Sequence, residues 1–167
     1  GDRLLDHEGE TAGWGQAQGD KPMYKNLLIA TDGSELAEKA VTHGIELAKA
    51  LGAKVTAVIA SEPWTVFATG EVGAAFPVEE YERSIEANAA KVLSDVANRA
   101  KAVGVPCVTK YLKDQFPADG IIAAAKDAGC DLIVMASHGR SGVTRLLLGS
   151  QANKVVTHSH IPVLICR

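Results

Sequence analysis

Asp131-Leu-Ile-Val-Met-Ala136 is the stretch of sequence that indicates the fold most directly. Its apolar residues are consecutive and do not alternate with polar ones, so both faces of the strand that it predicts must be covered. Strands of this kind are typical of parallel sheets that carry helices on both faces. Each pair of parallel neighbours also needs a crossover connection, which is usually a helix.

Strand and helix patterns alternate along the chain from Tyr24 onward. The patterns predict strands over residues 24–31, 55–60, 106–112, 131–136 and 161–166, and helices over 36–51, within 78–104, over 117–129 and over 150–158. Gly52 is placed to end the first helix and Pro117 to begin the third. Five strands and four helices in alternation predict an α/β fold, namely a five-stranded parallel doubly wound sheet with helices on both faces.

Composition and charge restrict the class of protein. The 167 residues contain 17 Lys+Arg and 20 Asp+Glu, and this formal net charge of −3 argues against a general nucleic-acid-binding surface. No apolar run approaches the roughly 18 residues that a membrane span needs. The three cysteines, Cys107, Cys130 and Cys166, are odd in number and lack C-x-x-C spacing, so we interpret them as buried apolar residues.

The first 22 residues differ from the rest of the chain. They carry five acidic and two basic side chains and no apolar periodicity, which predicts a flexible N-terminal arm or a cloning remnant followed by one domain over residues 23–167. The same stretch lacks the apolar segment of a signal peptide, so a cytoplasmic protein is expected. At the other end no acidic side chain follows Asp131, whereas four basic ones do, which suggests a small anionic ligand there.

The loops after the first and fourth strands are the predicted ligand site, because doubly wound sheets bind ligands where the winding direction reverses. They contain Thr31-Asp-Gly-Ser34 and Ser137-His-Gly-Arg-Ser-Gly142, the latter followed by Gly149-Ser150. Glycines let backbone N–H groups approach anionic oxygens, and Arg140 and Arg145 can offset phosphate charge. Neither a P-loop nor a G-x-G-x-x-G fingerprint is present in the sequence.

The chain resembles the universal stress protein family, specifically its nucleotide-binding branch. The resemblance covers residues 23–167 and rests on Tyr24-Lys-Asn-Leu-Leu-Ile-Ala-Thr-Asp-Gly-Ser34, Met135-Ala-Ser-His-Gly-Arg-Ser-Gly142, Leu146-Leu-Leu-Gly-Ser150 and Ile161-Pro-Val-Leu-Ile165. The branch is recognised by Gly, two residues, Gly, nine residues and Gly-[Ser/Thr]. Gly139 and Gly149-Ser150 match that motif, but Ala136 replaces its first glycine. The fold implied is Rossmann-like, of the adenine nucleotide alpha hydrolase-like type.

What the resemblance implies is a dimeric stress-response protein that binds ATP or AMP and acts as a nucleotide-dependent regulator or protective factor. Asp32 would contact the ribose or a nucleotide-bound Mg or Mn ion, and Met135 would pack beside the base. Adenine would be framed by Ala30, Thr31 and Ala60, and the phosphates held by Gly139, Arg140, Gly149, Ser150 and Gln151. Ala136 and Gly142 complete the predicted nucleotide-binding set. No catalytic residue is assigned.

The sequence also allows other interpretations of these residues. Asp32 could be an ordinary turn acid, the glycines ordinary loop residues, and residues 61–77 a lid or a plain surface loop. His138 is interpreted as a loop residue, and the spacing of His158 and His160 does not suit a metal site. Two other functions are a slow ATP hydrolase that uses Asp32 as a base and a dimeric scaffold without nucleotide. The apolar fifth strand should form a sheet edge, so a homodimer through residues 162–166 is expected.

Overall fold

Five strands and four helices alternate along the chain, as predicted. The strands are β1 (Asn26–Ala30), β2 (Lys54–Ala60), β3 (Cys107–Leu112), β4 (Leu132–Ala136) and β5 (Val163–Cys166). The helices are α1 (Glu35–Leu51), α2 (Val78–Ala102), α3 (Pro117–Asp127) and α4 (Ser150–His158). The computed structural model describes residues 22–63, 77–139 and 148–167. The predicted arm, apart from its last residue, and most of the predicted lid over residues 61–77 lie outside these ranges.

The strands form one parallel sheet in the order β3-β2-β1-β4-β5. The chain passes from β1 outward to β3, then returns to place β4 on the other side of β1, where Leu28 pairs with Ile133. The winding therefore reverses between β1 and β4, and the prediction of a doubly wound parallel sheet is confirmed. Among the described residues β5 pairs with β4 alone, which makes it the edge strand that the sequence predicts.

Helices cover both faces of the sheet, which explains the consecutive apolar residues of the central strands. Leu27 and Ile29 of β1 pack into the core formed with α1 and α2, whereas Leu28 and Ala30 pack into the core formed with α3 and α4. The first three of these side chains are fully buried. No helix within residues 22–63, 77–139 and 148–167 combines the length and the apolar composition that a membrane span requires.

Helix α1 can lie close to β1 because a glycine, Gly44, faces the strand. A Cβ atom on Gly44 would lie 2.6 Å from Cδ1 of Ile29, so the helix axis could not approach this closely with any larger residue there. The helix begins where Ser34 Oγ accepts a hydrogen bond from Ala37 N (3.2 Å) and ends at Gly52, whose φ of 63° is left-handed. The Ser34 cap fixes the point at which the loop after β1 becomes α1.

A partly buried polar network holds β1 against β4 at the amino ends of the strands. The Asp131 carboxylate accepts hydrogen bonds from the backbone N–H groups of Lys25 (2.8 Å) and Asn26 (3.1 Å). The Asn26 side chain in turn donates to the Ala128 carbonyl (2.9 Å) and accepts from the Thr56 hydroxyl (3.3 Å). The register of the two central strands is fixed in this way, and with it the separation of the loops that follow them.

Candidate functional site

A cavity of about 440 Å³ opens at the carboxyl ends of β1 and β4, where the winding reverses. This volume lies within the range of small-molecule sites, roughly 300 to 1,000 Å³. The structure brings ten of the predicted nucleotide-binding residues together around it: Ala30, Thr31, Asp32, Ala60, Met135, Ala136, Gly139, Gly149, Ser150 and Gln151. The other two, Arg140 and Gly142, lie outside the described residues, as does Arg145.

One wall of the cavity is apolar. Val58, Ile121 and Ala152 line it together with Ala30 and Met135, and all five also belong to the core on the α3 and α4 side of the sheet. The sequence did not single out Val58, Ile121 or Ala152, because their apolar periodicity does not distinguish the end of a core from the wall of a binding site. Such a wall can take a flat, poorly hydrated ring.

Asp32 lies between the two loops that frame the cavity mouth. Its Oδ1 accepts a hydrogen bond from Ser34 N (2.9 Å), which is the turn contact that the ordinary interpretation of this residue predicts. Its Oδ2 lies so near the opposite loop that a Cβ on Gly139 would be 2.8 Å away. Asp32 is also the one carboxylate among the described residues that line the cavity. Asp32 therefore stabilises the turn after β1 and also lines the cavity.

The amino end of α4 forms the polar side of the cavity. Gly149 N donates to the Ser137 carbonyl (2.8 Å), and a Cβ on Gly149 would lie 3.0 Å from that same oxygen. A side chain at this position would crowd that backbone oxygen, so glycine favours the close approach at which α4 begins. The helix has no side-chain cap and no acidic residue in its first turn. Its first N–H groups lack intrahelical acceptors and carry partial positive charge, so this end favours an anion.

The model of the universal stress protein family matches residues 23–167 of the chain. The chain belongs to the universal stress protein family. A universal stress protein from Thermus aquaticus is 38% identical to it over an alignment of 148 residues, which covers 87% of this chain and 100% of that protein. The resemblance inferred from the loop motifs is thus confirmed.

Solved structures agree with this assignment. The structure of MJ0577, a universal stress protein of Methanocaldococcus jannaschii, matches with a TM-score of 0.71 at 27% identity and covers 86% of this chain and 96% of that chain. A universal stress protein solved in complex with cAMP matches with a TM-score of 0.60 at 26% identity, covering 86% of this chain and 97% of that chain. The α/β architecture is that of the family.

This universal stress protein departs from the family's motif at Ala136. The side chain is 8% exposed and belongs to the core on the α1 and α2 side, although the residue also borders the cavity. Met135 projects to the opposite face, as alternation along a strand requires. The extra methyl group is therefore accommodated by the core.

Two neighbouring polar side chains have partners within the protein. Gln151, which the resemblance assigns to phosphate, uses its Oε1 to accept a hydrogen bond from Ala118 N at 3.1 Å. His138 Nδ1 is 3.1 Å from Ser137 Oγ, and this contact fits its interpretation as a loop residue. Both residues line the cavity.

The cysteines of this universal stress protein are free thiols. Cys130 is buried, as predicted for all three, whereas Cys107 and Cys166 are only partly buried. Burial raises the pKa of each thiol above its ordinary value, which lowers the thiolate fraction and is the opposite of what a reactive cysteine needs. In the described parts of the chain, no three His, Cys, Asp or Glu side chains are arranged to hold a metal ion.

Proposed function

We propose that this universal stress protein binds an adenine nucleotide, AMP or ATP, in the cavity between β1 and β4. The observation that carries the proposal is the pairing of an apolar wall with the uncapped amino end of α4 in one cavity. A purine base and a phosphate group need these two environments at the two ends of one molecule. The relative solved with cAMP, an adenine nucleotide, supports the proposal.

The lining residues fit the parts of such a ligand. Met135 and Val58 offer apolar contact to the base, and Asp32 offers a carboxylate to the ribose hydroxyls. The first N–H groups of α4 offer donors to the phosphates. A Mg or Mn ion that accompanies a nucleotide takes one or two carboxylates besides phosphate oxygens, and Asp32 can supply one.

The function proposed for the bound nucleotide is regulatory. The protein would act as a nucleotide-dependent regulator or protective factor under stress. Its free thiols fit a reducing compartment such as the cytoplasm.

Isothermal titration calorimetry with AMP and with ATP tests whether the protein binds these nucleotides. Mass spectrometry of small molecules released on denaturation tests what the protein carries when purified. We expect one saturable site per chain. If neither nucleotide binds at millimolar concentration, the proposed nucleotide binding is wrong and the dimeric scaffold without nucleotide becomes the leading alternative.

Replacement of Asp32 by Ala should weaken AMP binding roughly tenfold, because it removes a charge-assisted hydrogen bond to the ribose. Asp32→Asn is the matched control. The amide oxygen of Asn can still accept the hydrogen bond from Ser34 N, and the side chain can still form a hydrogen bond with a ribose hydroxyl. The side chain is neutral, however, so it cannot offer a negative charge to a metal ion. A larger loss for ATP with Mg than for AMP in Asp32→Asn would assign the carboxylate to the ion. Wild-type affinity in both variants would show that Asp32 does not contribute to nucleotide binding.

The same variants test the hydrolase alternative. Asp32 is the only carboxylate on the described cavity wall, so a slow hydrolysis that depends on a general base should stop in Asp32→Ala. Phosphate release measured at saturating ATP separates loss of turnover from loss of binding.

We also propose that the protein is a homodimer that pairs through β5. The carbonyls of Pro162 and Cys166 accept hydrogen bonds from Ile133 N (2.9 Å) and Ser137 N (2.8 Å). Because bonded residues alternate in a parallel ladder, Val163 and Ile165 direct their backbone groups to the outer edge. The side chains of β5 are partly exposed, and a groove of about 620 Å³ lies between this strand and α1. A second copy of the edge can satisfy these groups.

Replacement of Ile165 by Pro should convert the dimer to a monomer, because Pro removes an N–H group at the outer edge without breaking a hydrogen bond to β4. Ile165→Ala loses the same side-chain packing but keeps the N–H group, so it should remain dimeric. Sedimentation velocity distinguishes the two states. A dimer that survives Ile165→Pro would place the interface elsewhere.

A further inference from the structure

Gln151 connects the nucleotide cavity to the start of α3. The first N–H groups of any helix lack intrahelical acceptors, and α3 has Phe116 at its N-cap, which provides no side-chain acceptor. Gln151 supplies the missing acceptor from the neighbouring helix, since its Oε1 accepts from Ala118 N at 3.1 Å in a partly buried contact. The first turn of α3 is therefore capped by a residue 33 positions away in sequence.

Gln151 is also the second residue of α4, and it lines the cavity beside Ser150. A carboxamide has one acceptor oxygen and two donor hydrogens on its nitrogen. The hydrogen bond from Ala118 assigns the oxygen to α3, because only the oxygen can accept from an N–H group. The nitrogen remains as a donor for an anionic oxygen at the first turn of α4.

We propose that Gln151 is a positioning residue that bridges the phosphate of a bound nucleotide and the first turn of α3, so that nucleotide binding orders that turn. The contact between Gln151 and the phosphate rests on the function proposed above, whereas the contact between Gln151 and α3 is present in the structure. The chemistry requires a carboxamide: Glu could accept from Ala118 but would repel phosphate, and Met, which has a similar length, could neither accept well nor donate.

Ordering of this turn would reach beyond the nucleotide cavity. Pro117, the first residue of α3, borders that cavity and also a second cavity of about 260 Å³, which lies between α2 and the carboxyl ends of β2 and β3. The second cavity adjoins the first, since Asp32 and Ala60 also line both, and the bridge would give nucleotide occupancy a further physical connection to it.

Amide hydrogen exchange measured by NMR tests the bridge in the full chain. Wild type, Gln151→Glu and Gln151→Met are compared with and without saturating AMP. Without AMP, the Ala118 amide should exchange roughly tenfold faster in Gln151→Met than in wild type and near the wild-type rate in Gln151→Glu. The Val96 amide, in the core of α2, should be unchanged and so controls for overall stability.

With AMP, exchange at Ala118 should slow in wild type and stay unchanged in Gln151→Met that is saturated with AMP, while Gln151→Glu should bind AMP roughly tenfold more weakly. If AMP binds but leaves Ala118 unaffected in wild type, the bridge is wrong and the proposed function stands. If AMP does not bind to wild type at all, the proposed function fails and the bridge fails with it. Slowing in Gln151→Met equal to that in wild type would also overturn the bridge.

Discussion

Replacement of Gly149 by Val is expected to lower the affinity for AMP and ATP roughly a hundredfold, the largest effect on binding that we predict. The new Cβ would lie 3.0 Å from the Ser137 carbonyl oxygen and 3.3 Å from Cα of His138, and the branched methyl groups would add to this crowding. These neighbours are backbone atoms, which cannot turn away. Relief therefore requires the amino end of α4 to move, and overpacking of this kind costs about 1 to 3 kcal/mol.

The displacement also breaks the hydrogen bond from Gly149 N to Ser137 O (2.8 Å), which sets where the donors of α4 point. Isothermal titration calorimetry measures the loss of affinity. Gly129→Ala is the control, because Gly129 has a left-handed φ of 67° and nothing within 4 Å of an added Cβ. That variant should lose about 1 to 2 kcal/mol of stability and bind nucleotide normally. If Gly149→Val folds and binds nucleotide with wild-type affinity, the amino end of α4 does not contribute to nucleotide binding.

The largest loss of stability is expected from Gly44→Val, about 3 kcal/mol in the free energy of unfolding. The Cβ alone would lie 2.6 Å from Cδ1 and 2.8 Å from Cγ1 of Ile29, a side chain that is fully buried. Because protein interiors are close-packed, a new rotamer of Ile29 would displace other core side chains. We expect the clash to be relieved at least in part by separation of the helix from β1, the central strand of the sheet. Urea denaturation followed by circular dichroism measures the change.

A double-mutant cycle with Ile29→Ala identifies the contact responsible. Ile29→Ala alone should destabilise by about 2 to 5 kcal/mol through the cavity that it leaves. The combined variant should be more stable than the sum of the single changes predicts, by at least about 1 kcal/mol, because the valine fills space that Ile29 vacates. Strictly additive losses would show that contact with Ile29 is not the cause of the destabilisation in Gly44→Val.

The fold was largely predictable because its strands are buried on both faces and its helices end at recognisable residues. Consecutive apolar residues located β4, and Gly52 and Pro117 marked the end of α1 and the start of α3. The errors are at the ends of elements: the third helix was predicted to residue 129 but ends at Asp127, and the fifth strand was predicted from residue 161 but begins at Val163. Pro162, just before it, has no N–H group to donate and only its carbonyl joins the ladder, accepting from Ile133.

The candidate site was predictable where a glycine or a charged side chain follows a strand, and less so elsewhere. Asp32 and Gly149 were found by their position after β1 and before α4. The hydrogen bond between Gln151 and Ala118 was not predicted. It depends on how α3 and α4 pack against each other, and a local sequence pattern contains no information about that packing. The closeness of Asp32 to Gly139 likewise appears only once β1 and β4 are neighbours.

Most of these predictions depend on an adenine nucleotide occupying the cavity between β1 and β4. An NMR titration of the ¹⁵N-labelled protein with AMP tests it most directly, because each backbone amide reports separately. We expect saturable shifts that cluster at Thr31, Gly139 and the first turn of α4, with small changes in the groove between α1 and β5. Shifts that cluster in that groove instead, or no shifts at millimolar AMP, would contradict it.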